Sequence, residues 1–342
     1  AILRLSKAEW RRPATRAAEI LTVFSLMTAV LMPLIHSGRP WRLVYWVYTL
    51  PFVPYDFARG VWPNIRSPLV WDPSAIFTYL TSSILFVMVA LLPDMAVLRD
   101  RSTGIPHRIY GMLAMGWRGS AIHWERYEMA SLMLAGLATP LVLSVHSVIS
   151  FDFAVAIVPG WHTTIFPPYF VAGAIYAGFA MVLILVIPLR SLYGLQDFIT
   201  VRHLENMGKV MLTAGLIVGY GYFMEQLIAW YSASLYESFL MHNRMFGPYG
   251  GFYWALLLCN IVIPQALWSK RVRQNTTWLF LISVVISVGM WLERFLIIVP
   301  GLARKQLLTF DWYTYRPSSV EWIIIIGTFA LVSMRMLTIA RV

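Results

Sequence analysis

Long apolar runs separated by short polar stretches organise the chain. A hydrocarbon core about 30 Å thick takes roughly 20 apolar residues of helix per crossing, so runs of this length read as transmembrane helices. They predict about eight spans, near Thr15 to His36, Pro73 to Leu92, Glu128 to Ile149, Pro167 to Ile187, Lys209 to Trp230, Phe252 to Trp268, Thr277 to Val299 and Val320 to Ile339. Small residues on the fourth and fifth spans, among them Gly173, Ala177, Gly178, Gly215, Gly219 and Gly221, let helices approach closely. Trp71, Trp230, Trp268 and Trp322 fall at span ends, where interfacial aromatic belts form.

Composition supports this pattern. The 342 residues are 59% hydrophobic and 13% charged, with a mean hydropathy of +0.66, which leaves too little polar surface for an ordinary water-facing domain. The expected fold class is therefore an all-α polytopic membrane protein. The only cysteine, Cys259, excludes a disulfide framework and any iron–sulfur cluster held by this chain alone, because such clusters take about four protein ligands. The net charge of +11 does not point to nucleic acid, since Lys and Arg gather in the cytoplasmic loops of membrane proteins. The opening residues, Ala1-Ile2-Leu3, resemble the tail of an apolar helix, so earlier residues are expected to be missing.

Charge also sets the orientation. The N-terminal stretch with Arg4, Lys7, Arg11, Arg12 and Arg16 is basic, as are the segment with Arg190, Arg202 and Lys209 and the turn with Lys270, Arg271 and Arg273, so these belong in the cytoplasm. Residues 150–166 carry no Lys or Arg, and the loop after the fifth span carries only Arg244, so both should face outward. Two loops assigned outward are nevertheless basic, one with Arg39, Arg42, Arg59 and Arg66, the other with Arg304, Lys305 and Arg316. They suggest a docking surface for an extrinsic subunit.

Ionisable groups within spans are costly, which makes each a candidate functional residue. His36, Asp72, Asp152 and Arg294 come from four different elements and share the outer depth, with Glu293 and His146 nearby and Glu225 about a turn deeper. Each also has a structural reading. His36 suits a helix C-terminus; Asp72 before Pro73 suits an N-cap; Asp152 suits a solvated loop; Arg294 suits an ion pair with Glu293 or a snorkelling side chain. Together they fit quinol oxidation, in which a lipid-soluble substrate gives up two hydroxyl protons to nearby acceptors and its electrons to an outlet elsewhere. His36 and Asp72 would take the protons, and Arg294 would orient a carboxylate or polarise a quinone oxygen.

At these positions the sequence resembles the NrfD-like, or polysulfide-reductase-type, membrane subunits, and within them most ActC, the quinol-site subunit of alternative complex III. The resemblance is carried by Arg16-Ala17-Ala18-Glu19, Pro33-Leu34-Ile35-His36-Ser37-Gly38-Arg39-Pro40-Trp41, Ser67-Pro68-Leu69-Val70-Trp71-Asp72, Ser150-Phe151-Asp152-Phe153-Ala154, Pro159-Gly160-Trp161-His162-Thr163-Thr164, Pro167-Pro168-Tyr169-Phe170 and His203-Leu204-Glu205-Asn206-Met207 with Lys209. It implies about ten crossings arranged as two four-helix bundles, here 15–191 and 192–342 after a basic segment over 1–14. It implies menaquinol, oxidised to menaquinone near the periplasmic face of the bacterial inner membrane, bound by His36, Asp72, Asp152 and Arg294. No haem, cluster or metal site is expected in this chain. The implied partners are an adjacent iron–sulfur subunit, a paralogous NrfD-like membrane subunit, multihaem cytochrome c subunits, and a periplasmic cytochrome c or blue-copper acceptor. Glu128, His146, His203, Glu205, Lys209 and Glu225 are candidates for a proton path, each with an equally good reading as an interfacial charge or internal ion pair. Two rivals remain: a haem-bearing cytochrome b-type anchor ligated by His36 and His146, and a proton-coupled secondary transporter.

Overall fold

The computed structural model describes residues 1–29, 68–303 and 315–340; His36 and the basic loops around Arg39 to Arg66 and Arg304–Lys305 lie outside them. Every regular element among the described residues is helical. Six helices among the described residues are long and apolar enough to cross a membrane. The chain forms two compact units, 1–145 and 146–342.

The first unit contains a single turn, α1 (Ile2–Leu5), followed by α2 (Arg12–Ala29), α3 (Pro68–Arg101), α4 (Ile105–Leu113) and most of α5 (Ala121–Ala154). Proline opens α3, where its missing N–H costs nothing. The helix then runs through Pro73 and Pro93 for 34 residues, about 50 Å at 1.5 Å per residue, and projects past the hydrocarbon layer at Arg99–Arg101. Arg16 ties α2 to α3 by an ion pair with Asp94 at 2.7 Å. Below α3, Trp117 packs edge-on against Trp124 and Tyr127, with ring centroids 5.0 and 5.8 Å apart.

The second unit is built on α6 (Phe166–Leu192), α7 (Val201–Tyr231), α9 (Gly250–Leu257) and α11 (Thr276–Leu302), with short α8 (Leu235–Phe246) and α10 (Lys270–Gln274) at the turns and α12 (Ser319–Ala340) last. Tyr176, Leu183, Met211, Val218 and Ile286 have no exposed surface where α6, α7 and α11 pack. Two glycines set the α6–α7 distance. A Cβ on Gly215 would stand 2.9 Å from the Tyr176 ring, and one on Gly221 would stand 2.6 Å from that of Tyr169. The opposite face of α7 exposes Leu216, Ile217 and Phe223, as a lipid-facing helix should.

The sixth predicted span is not a regular helix. After α9 the chain makes a π turn over Leu258–Val262 and a 3-10 segment over Ile263–Trp268. Pro264 explains part of this, because it has no N–H for the carbonyl of Asn260, four residues back. That carbonyl is satisfied by the Tyr176 hydroxyl instead, at 3.2 Å. Widening the turn also swings the Asn260 side chain into the bundle, where it is 1% exposed.

Candidate functional site

A buried polar cluster occupies the end of the second unit at which α6 begins and α7 and α11 finish. Glu293 of α11 is 1% exposed and accepts a hydrogen bond from the Tyr222 hydroxyl of α7 at 2.7 Å. Asn260 Nδ2 donates to the same hydroxyl at 2.8 Å, so the π turn, α7 and α11 meet at one oxygen. Gly289 lets them do so, because a Cβ there would overlap the side chain of Asn260. Arg294 Nη2 lies 3.2 Å from the Glu293 carboxylate, while its guanidinium sits over the Phe170 ring at 3.9 Å. A second pair lies beside the first: Arg244 of α8 donates to Glu225 of α7 at 2.6 Å, with side chains only 3% and 11% exposed.

Between these groups is a cavity of ≈ 20 Å³, about the space of one water, lined by Tyr169, Tyr222, Glu225, Arg244, Tyr253 and Glu293. Two carboxylates face two guanidinium groups inside an apolar bundle, so the charges balance, as burial requires. Paired in this way, the four ionised groups place no net charge among the helices.

The loop after α5 closes this end. Gly160, in the left-handed region at φ 78, donates its N–H to Glu237 of α8 at 2.8 Å, and Trp161 Nε1 donates to the Ile297 carbonyl at 2.6 Å. Burial pushes the Glu237 carboxyl above its usual range, opposed by the Gly160 amide and by Arg244.

Of the residues singled out from sequence, Glu225, Glu293 and Arg294 lie in this cluster. Asp152 lies in the last turn of α5, partly buried, rather than in a loop. Its neighbour Phe153 stacks within 5.8 Å of Phe170, the ring beneath Arg294, so both belong to one aromatic neighbourhood. Asp72, in the first unit, is not an N-cap: α3 starts at Pro68, leaving Asp72 inside the helix and 8% exposed. Its Oδ1 meets no donor among the described residues. His36 lies outside the described residues. Glu128 is exposed and bound by Arg4. His146 is half-buried along α5.

The remaining candidates sit at the other end of α7. His203 completes a capping box with Thr200. Glu205 is held by Gln274 at 3.0 Å, Lys209 at 3.3 Å and Arg273 at 3.5 Å. Among the described residues no group of three or more His, Cys, Asp or Glu side chains is placed to hold a metal ion.

The model of the family described as polysulphide reductase, NrfD, matches residues 4–305. The chain belongs to the NrfD family. It is thus an integral multi-pass membrane protein. This NrfD-family chain is 28% identical over 235 residues to the Hdr-like menaquinol oxidoreductase integral membrane subunit of Archaeoglobus fulgidus, covering 62% of the chain and 57% of that protein. It is 22% identical over 347 residues to a putative dimethyl sulfoxide reductase membrane subunit of Halobacterium salinarum, covering 92% of the chain and 71% of the relative.

Sequence reasoning missed Arg244, Tyr222 and Asn260 as members of the cluster. Arg244 reads in the sequence as an outer-loop charge, but that loop folds as α8, whose Leu240, Met241 and Arg244 share a buried face. Their helical spacing was the available signal. For Asn260, the signal was a polar side chain within an apolar span four residues ahead of a proline.

Proposed function

We propose that this chain is the quinol-binding membrane subunit of an NrfD-type oxidoreductase complex, and that the complex is an alternative complex III. Menaquinol is oxidised near the periplasmic face: two protons leave its hydroxyls, two electrons pass to an adjacent iron–sulfur subunit, and menaquinone departs into the bilayer. His36, Asp72, Asp152 and Arg294 form the quinol site, with His36 and Asp72 as proton acceptors. The name of the Archaeoglobus relative supports the substrate.

The observation that carries the reading is Asp72. A carboxylate buried near the start of an apolar span, with an oxygen that no described donor satisfies, is expensive as a structural element and suited to accepting a proton. Its place inside α3 removes the capping explanation. In this reading the chain forms two four-helix bundles within about ten crossings of a bacterial inner membrane. It sits beside a paralogous membrane subunit and multihaem cytochrome c subunits, and a periplasmic cytochrome c or blue-copper protein takes the electrons. Glu128, His146, His203, Glu205, Lys209 and Glu225 are candidates for carrying protons onward.

In complexes that still assemble, Asp72→Asn and His36→Ala should each lower quinol turnover by roughly 100-fold or more, the usual loss when a positioned proton acceptor is removed. Wild-type turnover in both variants would overturn the site.

A further inference from the structure

At the end of the second unit opposite the buried cluster, a groove of ≈ 480 Å³ opens between the first turns of α7 and α10. Its walls carry Arg202, Lys209 and Lys270, with Asn206 and Gln274 between them and Glu205 as the only acid. Glu205 is already committed to Gln274, Lys209 and Arg273. Arg202 and Lys270 are exposed and form no ion pair with any described residue.

Trp268 and Trp278, on either side of α10 in the sequence, are 63% and 57% exposed, as tryptophans of an interfacial belt are, which argues for a groove at headgroup level. Leu192, Tyr193 and Phe198, at the α6–α7 turn on the same end, are also exposed. A ligand here meets cations and amide side chains on one side and an acyl-chain environment on the other. We propose that this groove binds the phosphate of an anionic phospholipid, with Arg202 and Lys270 as its principal cations and Asn206 and the second amide N–H of Gln274 donating hydrogen bonds. Two uncommitted cations, beside an acid already neutralised by Lys209 and Arg273, leave the groove an excess of positive charge that attracts an anionic phosphodiester, and the volume suits a headgroup. Basic grooves between helix ends are a recurrent form of lipid recognition.

The test uses the whole complex, delipidated in detergent, returned to phosphatidylglycerol and examined by native mass spectrometry. Wild type should retain phosphatidylglycerol over phosphatidylcholine. The double variant Arg202→Gln with Lys270→Gln should retain it roughly 30-fold less well, counting each cation near the surface at its usual worth. Helix content by circular dichroism confirms that the variant is folded. Arg108→Gln, which removes an exposed cation from α4, should leave retention unchanged. Inorganic phosphate at millimolar concentration should not compete. Equal retention by the folded double variant, an equal loss in Arg108→Gln, or displacement by inorganic phosphate alone would overturn the proposal, the last by showing a free-anion site.

Discussion

Arg244 and Glu225 illustrate what burial demands of a charged side chain. Each is almost fully enclosed, and the 2.6 Å contact between them is the compensation for leaving water. Removing one partner strands the other. Arg244→Met should therefore destabilise the folded protein by about 3–5 kcal/mol, whereas Arg244→Met combined with Glu225→Gln should recover most of that loss. Unfolding in detergent, followed by tryptophan fluorescence, measures both; equal losses in the single and double variants would show that the pair is not coupled. This partnership was only half legible in the sequence. Glu225 stood out because an acid inside an apolar run is conspicuous, but its partner is 19 residues away in a segment that reads as a loop. Contacts made by tertiary packing leave no mark at that spacing. Asp72 shows the opposite limit: Asp before Pro is a strong local N-cap signal, yet the helix starts four residues earlier at Pro68, which satisfies the same rule.

At the scale of elements, irregular pieces place the polar groups. The π turn ahead of Pro264 turns Asn260 inward, and α8 with the Gly160 loop covers the end of the bundle. The tie between Gly160 and Glu237 carries a pH dependence. Burial raises the Glu237 carboxyl, so the folded state binds its proton more readily than the unfolded chain does. From this group alone, stability is fully present at low pH and is lost as pH rises through the raised pKa. Arg244 and His162 favour the charged form, and Glu225 opposes it, so the dependence is a balance among these neighbours. Glu237→Gln keeps an oxygen for the Gly160 amide and cannot ionise. It should melt above the parent at pH 7.5, with the gap closing toward pH 5. Measuring both in a His162→Gln background removes the neighbouring imidazole from the comparison. A gap independent of pH would exclude Glu237 ionisation as its cause. The positions of the six long apolar helices were readable because about 20 apolar residues in sequence are unmistakable; α8 was not, because a 12-residue amphipathic helix resembles a mixed loop until its buried face is known.

Across the molecule, the second unit keeps its polar chemistry at two levels joined by apolar packing. Glu205 and Glu225 mark those levels on one helix, about 20 residues apart, which at 1.5 Å per residue is about 30 Å and matches the hydrocarbon thickness. The lower level collects Arg202, Lys209, Lys270, Arg271 and Arg273, and the upper level is capped by α8. On the positive-inside rule a basic end of this kind is expected in the cytoplasm, which would put the carboxylate–guanidinium cluster at the outer face, where the quinol site is proposed. The single cysteine makes the arrangement straightforward to test. In a Cys259→Ala background, Arg271→Cys should react with a membrane-impermeant maleimide only in inside-out vesicles. His242→Cys, on the exposed side of α8, should react only in right-side-out ones. Labelling of both from one side would mean that the segment from α9 to Trp268 does not cross. Exchange of the two accessibilities would invert the chain and move the buried cluster to the cytoplasmic face. An outer-face quinol site would then have to be built without Arg294, because that residue is fixed to the cluster through Glu293 and Phe170.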